Sequence, residues 1–178
     1  MFSPEQLVVY PAQSVGVVER IEKQSVGGFE IELYIVRILD NNITLMVPVK
    51  NASNVGLRTL SSSEECDLIF ESLKDRSTFK GYTGQNWNRR YREYSERIKS
   101  GTLSDTSSIL KELLLISRIK DLSFGEKRLL EQAMSLVSME IACVKGLRQE
   151  DVQQKIEDLF EDVLKAREET SPVLIGKT

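Results

Sequence analysis

A chain of 178 residues, 40% apolar and 29% charged, can bury one core or two small ones. It has no histidine, which removes histidine-based triads, histidine-ligated metals and imidazole proton shuttles. The net charge of −3 hides a local reversal, because residues 61–100 carry net +1 while residues 101–178 carry net −3.

The first fifty residues predict strands. Leu7-Val8-Val9-Tyr10 is short, apolar and stopped by Pro11. Val15 to Lys23 is rich in valine, with Gly16 marking a bulge or a close approach. Gly27-Gly28 is a hairpin turn. Phe29 to Leu39 alternates, with Ile31, Leu33 and Ile35 on one face and Glu30, Glu32 and Tyr34 on the other. Asp40-Asn41-Asn42 turns the chain again, and Ile43 to Val47 returns. Strands this short and this many must curl to close a core, which predicts a small five-stranded barrel. Pro48 cannot donate to a ladder, so the strand it ends is expected at an edge. An uncharged apolar edge is open to pairing with another chain, unless the barrel itself covers it.

Residues 51–60 are rich in turn formers. Ser62 with Glu65 then forms a capping box that opens a helix to about Lys74. A loop is expected over residues 75–85. Next comes Asn86-Trp87-Asn88-Arg89-Arg90-Tyr91-Arg92-Glu93-Tyr94, which holds the single tryptophan. From Arg76 to Lys99 there are seven basic residues against two acidic ones. Cations for phosphates and flat rings for bases are what a nucleic-acid surface needs. On a helix, however, Trp87, Tyr91, Tyr94 and Ile98 share one face, which is also the pattern of a buried stripe. Periodicity does not decide between the two.

Three further helices follow. Ile109, Leu110, Leu113, Leu114, Ile116 and Ile119 give a broad apolar face, so that helix is expected to be central. Ser123-Phe124-Gly125-Glu126 is a second capping box, and Gly146 suits the end of the helix it starts. Val152, Ile156, Leu159, Phe160 and Val163 mark the last helix. The fold class is therefore α+β. A five-stranded β barrel over residues 1–60 precedes an all-α bundle of about five helices over 61–166, and a polar tail, expected to be disordered, covers 167–178.

Cys66 and Cys143 lie far apart and read as small buried hydrophobes. There is no phosphate-binding glycine loop and no nucleophile–base pair. No catalytic residue, metal or cofactor is expected, so the chain reads as a non-enzyme. The start has neither a basic n-region nor an apolar h-region, and no run is long enough to span a membrane, which reads as cytoplasmic.

Taken in order, these segments resemble the CarD/CdnL family of bacterial RNA polymerase-binding transcription factors. The resemblance rests on Val8-Val9-Tyr10-Pro11, Val47-Pro48 with Val55-Gly56-Leu57-Arg58, Asn86-Trp87-Asn88-Arg89-Arg90-Tyr91 and Leu122-Ser123-Phe124-Gly125-Glu126-Lys127-Arg128. It implies a Tudor-like N-terminal domain that docks on the polymerase β subunit, with Val36, Met46 and Pro48 at positions of the contact. It also implies a helical domain at the upstream edge of the −10 element of promoter DNA. There Trp87 would wedge into the minor groove, with Arg89, Arg90 and Arg92 beside it and Phe124 on a nearby apolar patch. Gln24 and Met46 stand where one branch of the family has arginines, and Met46 matches the CdnL branch. That departure favours an apolar, strand-pairing contact over a salt-sensitive one. A protein-interaction module with Trp87 in its core, touching no DNA, is the alternative.

Overall fold

A computed structural model describes residues 1–77, 79 and 87–161, except for the side chains of Trp87 and Ser100. The expected loop over 75–85 lies mostly outside the described residues, as does the expected tail. Four strands form one antiparallel sheet in the order β1 (Leu7–Tyr10), β2 (Ser14–Val26), β3 (Phe29–Ile38) and β4 (Thr44–Pro48). Gly27 and Gly28, with φ of +60° and +84°, make the two-residue turn between β2 and β3. Positive φ at both central positions matches the right-handed twist of the flanking strands. Within the sheet the ladder slips once, between Val18 and Arg20. The bulge thus falls at Glu19 and not at Gly16, which is instead a close approach. A Cβ on Gly16 would sit 2.7 Å from Cγ1 of Val36.

The sheet curls into a half-barrel with four strands, not five. After Pro48 the chain enters a 3-10 turn, Val49–Asn51, and then a second turn at Gly56, whose φ is +78°. Only Arg58 lies flat beside β1 before the chain leaves. It exchanges two backbone hydrogen bonds with Val9, at 2.8 and 3.1 Å. The fifth strand is therefore a single bridge.

The inner face of the half-barrel buries Val8, Val18, Tyr34, Val36, Ile38 and Val47, closed from below by Ala52 and Leu57. Phe2 stands edge-on to Tyr34, ring centroids 5.6 Å apart, and its backbone N–H donates to the phenol oxygen. Glu30 and Glu32 share this face of β3 yet stay in water, because the hairpin runs past its neighbours. β4 pairs with β3 only from Leu33 to Arg37.

Five helices follow: α1 (Ser63–Lys74), α2 (Trp87–Ser100), α3 (Leu103–Ile119), α4 (Phe124–Lys145) and α5 (Gln149–Asp158). Both predicted capping boxes form, Ser62 with Glu65 and Ser123 with Glu126. Gly146 ends α4 in the left-handed conformation, as its position predicted. α3 is central, since it contributes Leu110 and Leu114 to one core with α1, α4 and α5, and Ile109 and Leu113 to another with α2 and α4. Cys66 is fully buried in the first of these, and burial pushes its thiol up to about 11. It behaves as a small apolar residue.

The half-barrel and the helices pack against each other. α4 lies against β2, and the β1–β2 turn rests on the helices.

A methyl group at position 16 has no room, because the valine it meets is itself fully buried. Gly16→Ala should lower stability by about 1–3 kcal/mol, as for overpacking of a core, read from chemical denaturation with an unchanged slope.

Candidate functional site

The aromatic stripe of α2 divides. Tyr94 and Ile98 are each 2% exposed and pack with Ile109, Leu113 and Leu129. Burial pushes the Tyr94 phenol above its ordinary range, reinforced by the neighbouring Glu112 carboxylate. Tyr91, one turn nearer the start, is 46% exposed. Trp87 is the first residue of the helix, and its side chain lies outside the described residues. The buried reading therefore holds for the second half of the stripe, where α3 and α4 cover it.

The three arginines divide too. Arg89 and Arg92 are exposed, whereas Arg90 is buried. Its Nη2 donates to Oε1 of Glu126, and the two side chains are 7% and 1% exposed. The other oxygen, Oε2, accepts from Lys120 Nζ at 2.6 Å and from the Ser123 backbone N–H at 2.8 Å. Burial works against the charge of Glu126, but the bonds from Lys120 and Ser123 outweigh it and hold the carboxyl below its ordinary range. Glu126 thus closes the α4 capping box and also ties α2's first turns to α4's first turn. The i, i+3 logic that flagged it as a cap could not show its second partner, which lies 36 residues away.

Phe124 is the first residue of α4 and is 83% exposed. It stands two residues before Glu126, so the same carboxylate brings the start of α2 and Phe124 to one end of the helical half. Lys127 and Arg128 are exposed on α4 three and four residues after Phe124, hence on its face. Arg118 and Ile119 are exposed at the end of α3 just before it. The spacing Phe-x-x-Lys-Arg was legible in the sequence, and it adds Lys127 and Arg128 to the candidate surface.

The second candidate surface is the sheet edge. Among the described residues no strand pairs with the outer side of β4. Met46 is 62% exposed and Pro48 is half-buried. They share the outer face with their β3 partners Ile35 and Leu33. Val36, paired with Leu45, points the other way and is 0% exposed in the half-barrel core. It can support β4 from within but offers no surface. Gln24 is exposed on the hairpin, opposite Ile31. Among the described residues no cluster of metal-binding side chains occurs, and no helix is long and apolar enough to cross a membrane.

Removing Glu126 takes the carboxylate partner from the buried Arg90, and removing Arg90 takes one of the two cations from the buried Glu126, which keeps Lys120. Arg90→Ala and Glu126→Gln should each cost about 3–5 kcal/mol of stability, whereas Arg89→Ala and Arg92→Ala should stay within about 0.5 kcal/mol. Because the folded carboxyl of Glu126 is depressed, its contribution is fully present above the ordinary carboxylate range of about 4.3 and is lost as pH falls through the folded value. Denaturation of wild type and Glu126→Gln at pH 7 and in acid should show their difference shrinking in acid.

Residues 2–61 match the model of the CarD-like/TRCF RID domain, and residues 68–157 match that of the CarD C-terminal domain. Among curated proteins, the chain is 22% identical to "Putative transcription factor YdeB" of Bacillus subtilis (strain 168). That similarity covers 153 residues, 86% of this chain and 98% of the relative. The two models lie in the order of the half-barrel and the helices, and together they span nearly all the described residues. The chain belongs to the CarD family of transcription regulators.

Proposed function

We propose that this protein is a non-enzymatic regulator that binds the β subunit of RNA polymerase through its half-barrel and stabilises open promoter complexes through its helical half. The observation that carries the reading is the arrangement around Glu126. It gathers the start of α2, with exposed Arg89 and Arg92, beside exposed Phe124, Lys127 and Arg128. A basic surface with an apolar residue at its centre suits DNA at the upstream edge of a melted bubble. Arginines on phosphates add affinity without sequence preference. Trp87 is the wedge in this reading: an apolar side chain entering a minor-groove step fits DNA that is already unstacked better than intact duplex. A protein that binds melted DNA better than closed DNA shifts the equilibrium by that difference and no more. Arg90 has no direct part, because its guanidinium is committed to Glu126.

Docking falls to β4. Its free edge and the exposed Met46 favour addition of a strand from the β subunit, with backbone hydrogen bonds giving affinity and the Met46 and Pro48 side chains giving fit. Polymerase then supplies the address, since tethering raises the local concentration of a weak DNA binder. The acidic composition of residues 101–178 fits this division, since free DNA would be a poor target for the whole chain.

Two substitutions test the two surfaces separately. Met46→Asp places a charge in the strand contact and should weaken binding to a β fragment by about 2–5 kcal/mol; normal binding by the folded variant would refute docking at β4. Trp87→Ala should leave the melting temperature near that of wild type and shorten the half-life of heparin-challenged open complexes, most of all at promoters with unstable bubbles. A loss of about 3–5 kcal/mol in stability would instead mark Trp87 as a core residue. That outcome would favour the reading as an interaction module without DNA contact.

A further inference from the structure

We propose that Arg58 and Glu140 are positioning residues that lock the half-barrel and the helices into one rigid body, setting the distance between the polymerase edge and the DNA surface. The proposal rests on the two-surface reading above. The backbone of Arg58 belongs to the sheet, through its bridge to Val9. Its side chain belongs to the helices. Nη1 and Nη2 donate to the two oxygens of Glu140 on α4, at 2.7 and 2.8 Å. Nε donates to the carbonyl of Gly101, just past the end of α2, at 2.7 Å. Glu140 also accepts from the backbone N–H and the hydroxyl of Ser61, each at 2.9 Å, and its side chain is 4% exposed. A planar fork on a buried carboxylate fixes direction as well as distance, which a lysine would not do.

A second contact holds the same joint. Pro11, in the β1–β2 turn, sits where a Cβ on either Gly56 or Gly101 would come within 2.9 or 2.8 Å of its ring. Gly101 is what lets the two halves approach so closely, while Gly56 lets the half-barrel's own turn close on Pro11. The next residue, Ala12, has φ of +60° and packs against the cluster of Tyr94 and Ile98. An alanine keeps a left-handed backbone only where its surroundings hold it there. α2 is therefore pinned at both ends, to Glu126 near its start and to Arg58 at its finish.

A rigid connector of the right span gives the highest effective concentration of one surface near the other's target, and a loose one gives less. The clamp touches neither β4 nor the start of α2. Weakening it should leave each contact intact and damage only their cooperation.

The test uses the full chain carrying Arg58→Lys, Glu140→Gln or Arg58→Ala. Three quantities are measured: affinity for the β fragment, half-life of open complexes, and the tumbling times of the two halves from 15N relaxation. Wild type should tumble as one body. The variants should bind the β fragment within about twofold of wild type, tumble as two bodies, and shorten the open-complex half-life by roughly threefold or more. Glu140→Gln is the mildest change, since it keeps the bonds from Ser61, and it serves if Arg58→Ala fails to fold. Two tumbling times in wild type would overturn the proposal. So would variants whose halves separate while the half-life stays unchanged, or variants that remain one body. Wild type that tumbles as one body but binds no β fragment would refute the two-surface reading and leave the joint itself established by relaxation.

Discussion

The candidate surface depends on one carboxylate that water barely reaches. Glu126 is 1% exposed, and burying a charge is unfavourable unless it is paired and hydrogen-bonded. Here the Arg90 guanidinium, the Lys120 ammonium and the Ser123 backbone N–H supply the partners. Those donors come from α2, from the link after α3 and from the cap of α4. No other group described here joins those three segments at one point. The polar network fixes where the helix starts lie, and the apolar clusters beneath it supply the driving force for their packing.

This division explains why the same helix can be core and surface. α2 buries Tyr94 and Ile98 in its second half and turns Arg89 and Arg92 to solvent in its first. The sheet shows the same economy at its edge. Val36 and Val47 face inward and hold β4 from within, leaving Met46 outside beside an edge that no strand among the described residues pairs with. An edge with an exposed apolar residue and no charge on the strand is usually protected. Its being left open is what an interaction strand requires.

Much of this was legible in the sequence, and the parts that were not share a physical reason. The two-glycine hairpin turn, both capping boxes, the glycine end of α4 and the centrality of α3 all follow from local rules, in which a residue's neighbours within four positions decide the outcome. Long-range pairing does not. Arg89, Arg90 and Arg92 look alike as letters; only the arrival of Glu126 separates the buried one from the exposed two. Val36 was placed at the docking surface by resemblance, yet pairing with Leu45 turns it inward, because register in a sheet moves a side chain to the other face with each residue. The fifth strand was inferred from the need to close a core. The turns at Val49–Asn51 and Gly56 use up the chain, and Leu57 and Ala52 close the half-barrel with a bridge at Arg58 in place of a full ladder.

The decisive contact is the one proposed between promoter DNA at the upstream edge of the bubble and the end of the helical half gathered by Glu126. Phe124 is the residue to ask, because it is 83% exposed and its removal should not disturb the core. A benzoyl-phenylalanine photocrosslinker in its place, in an open complex assembled with polymerase, reports what lies within reach of that surface. Cross-links to DNA at the upstream edge of the −10 element, dependent on polymerase, are the expected result. Cross-links to polymerase alone, with none to DNA, would contradict it.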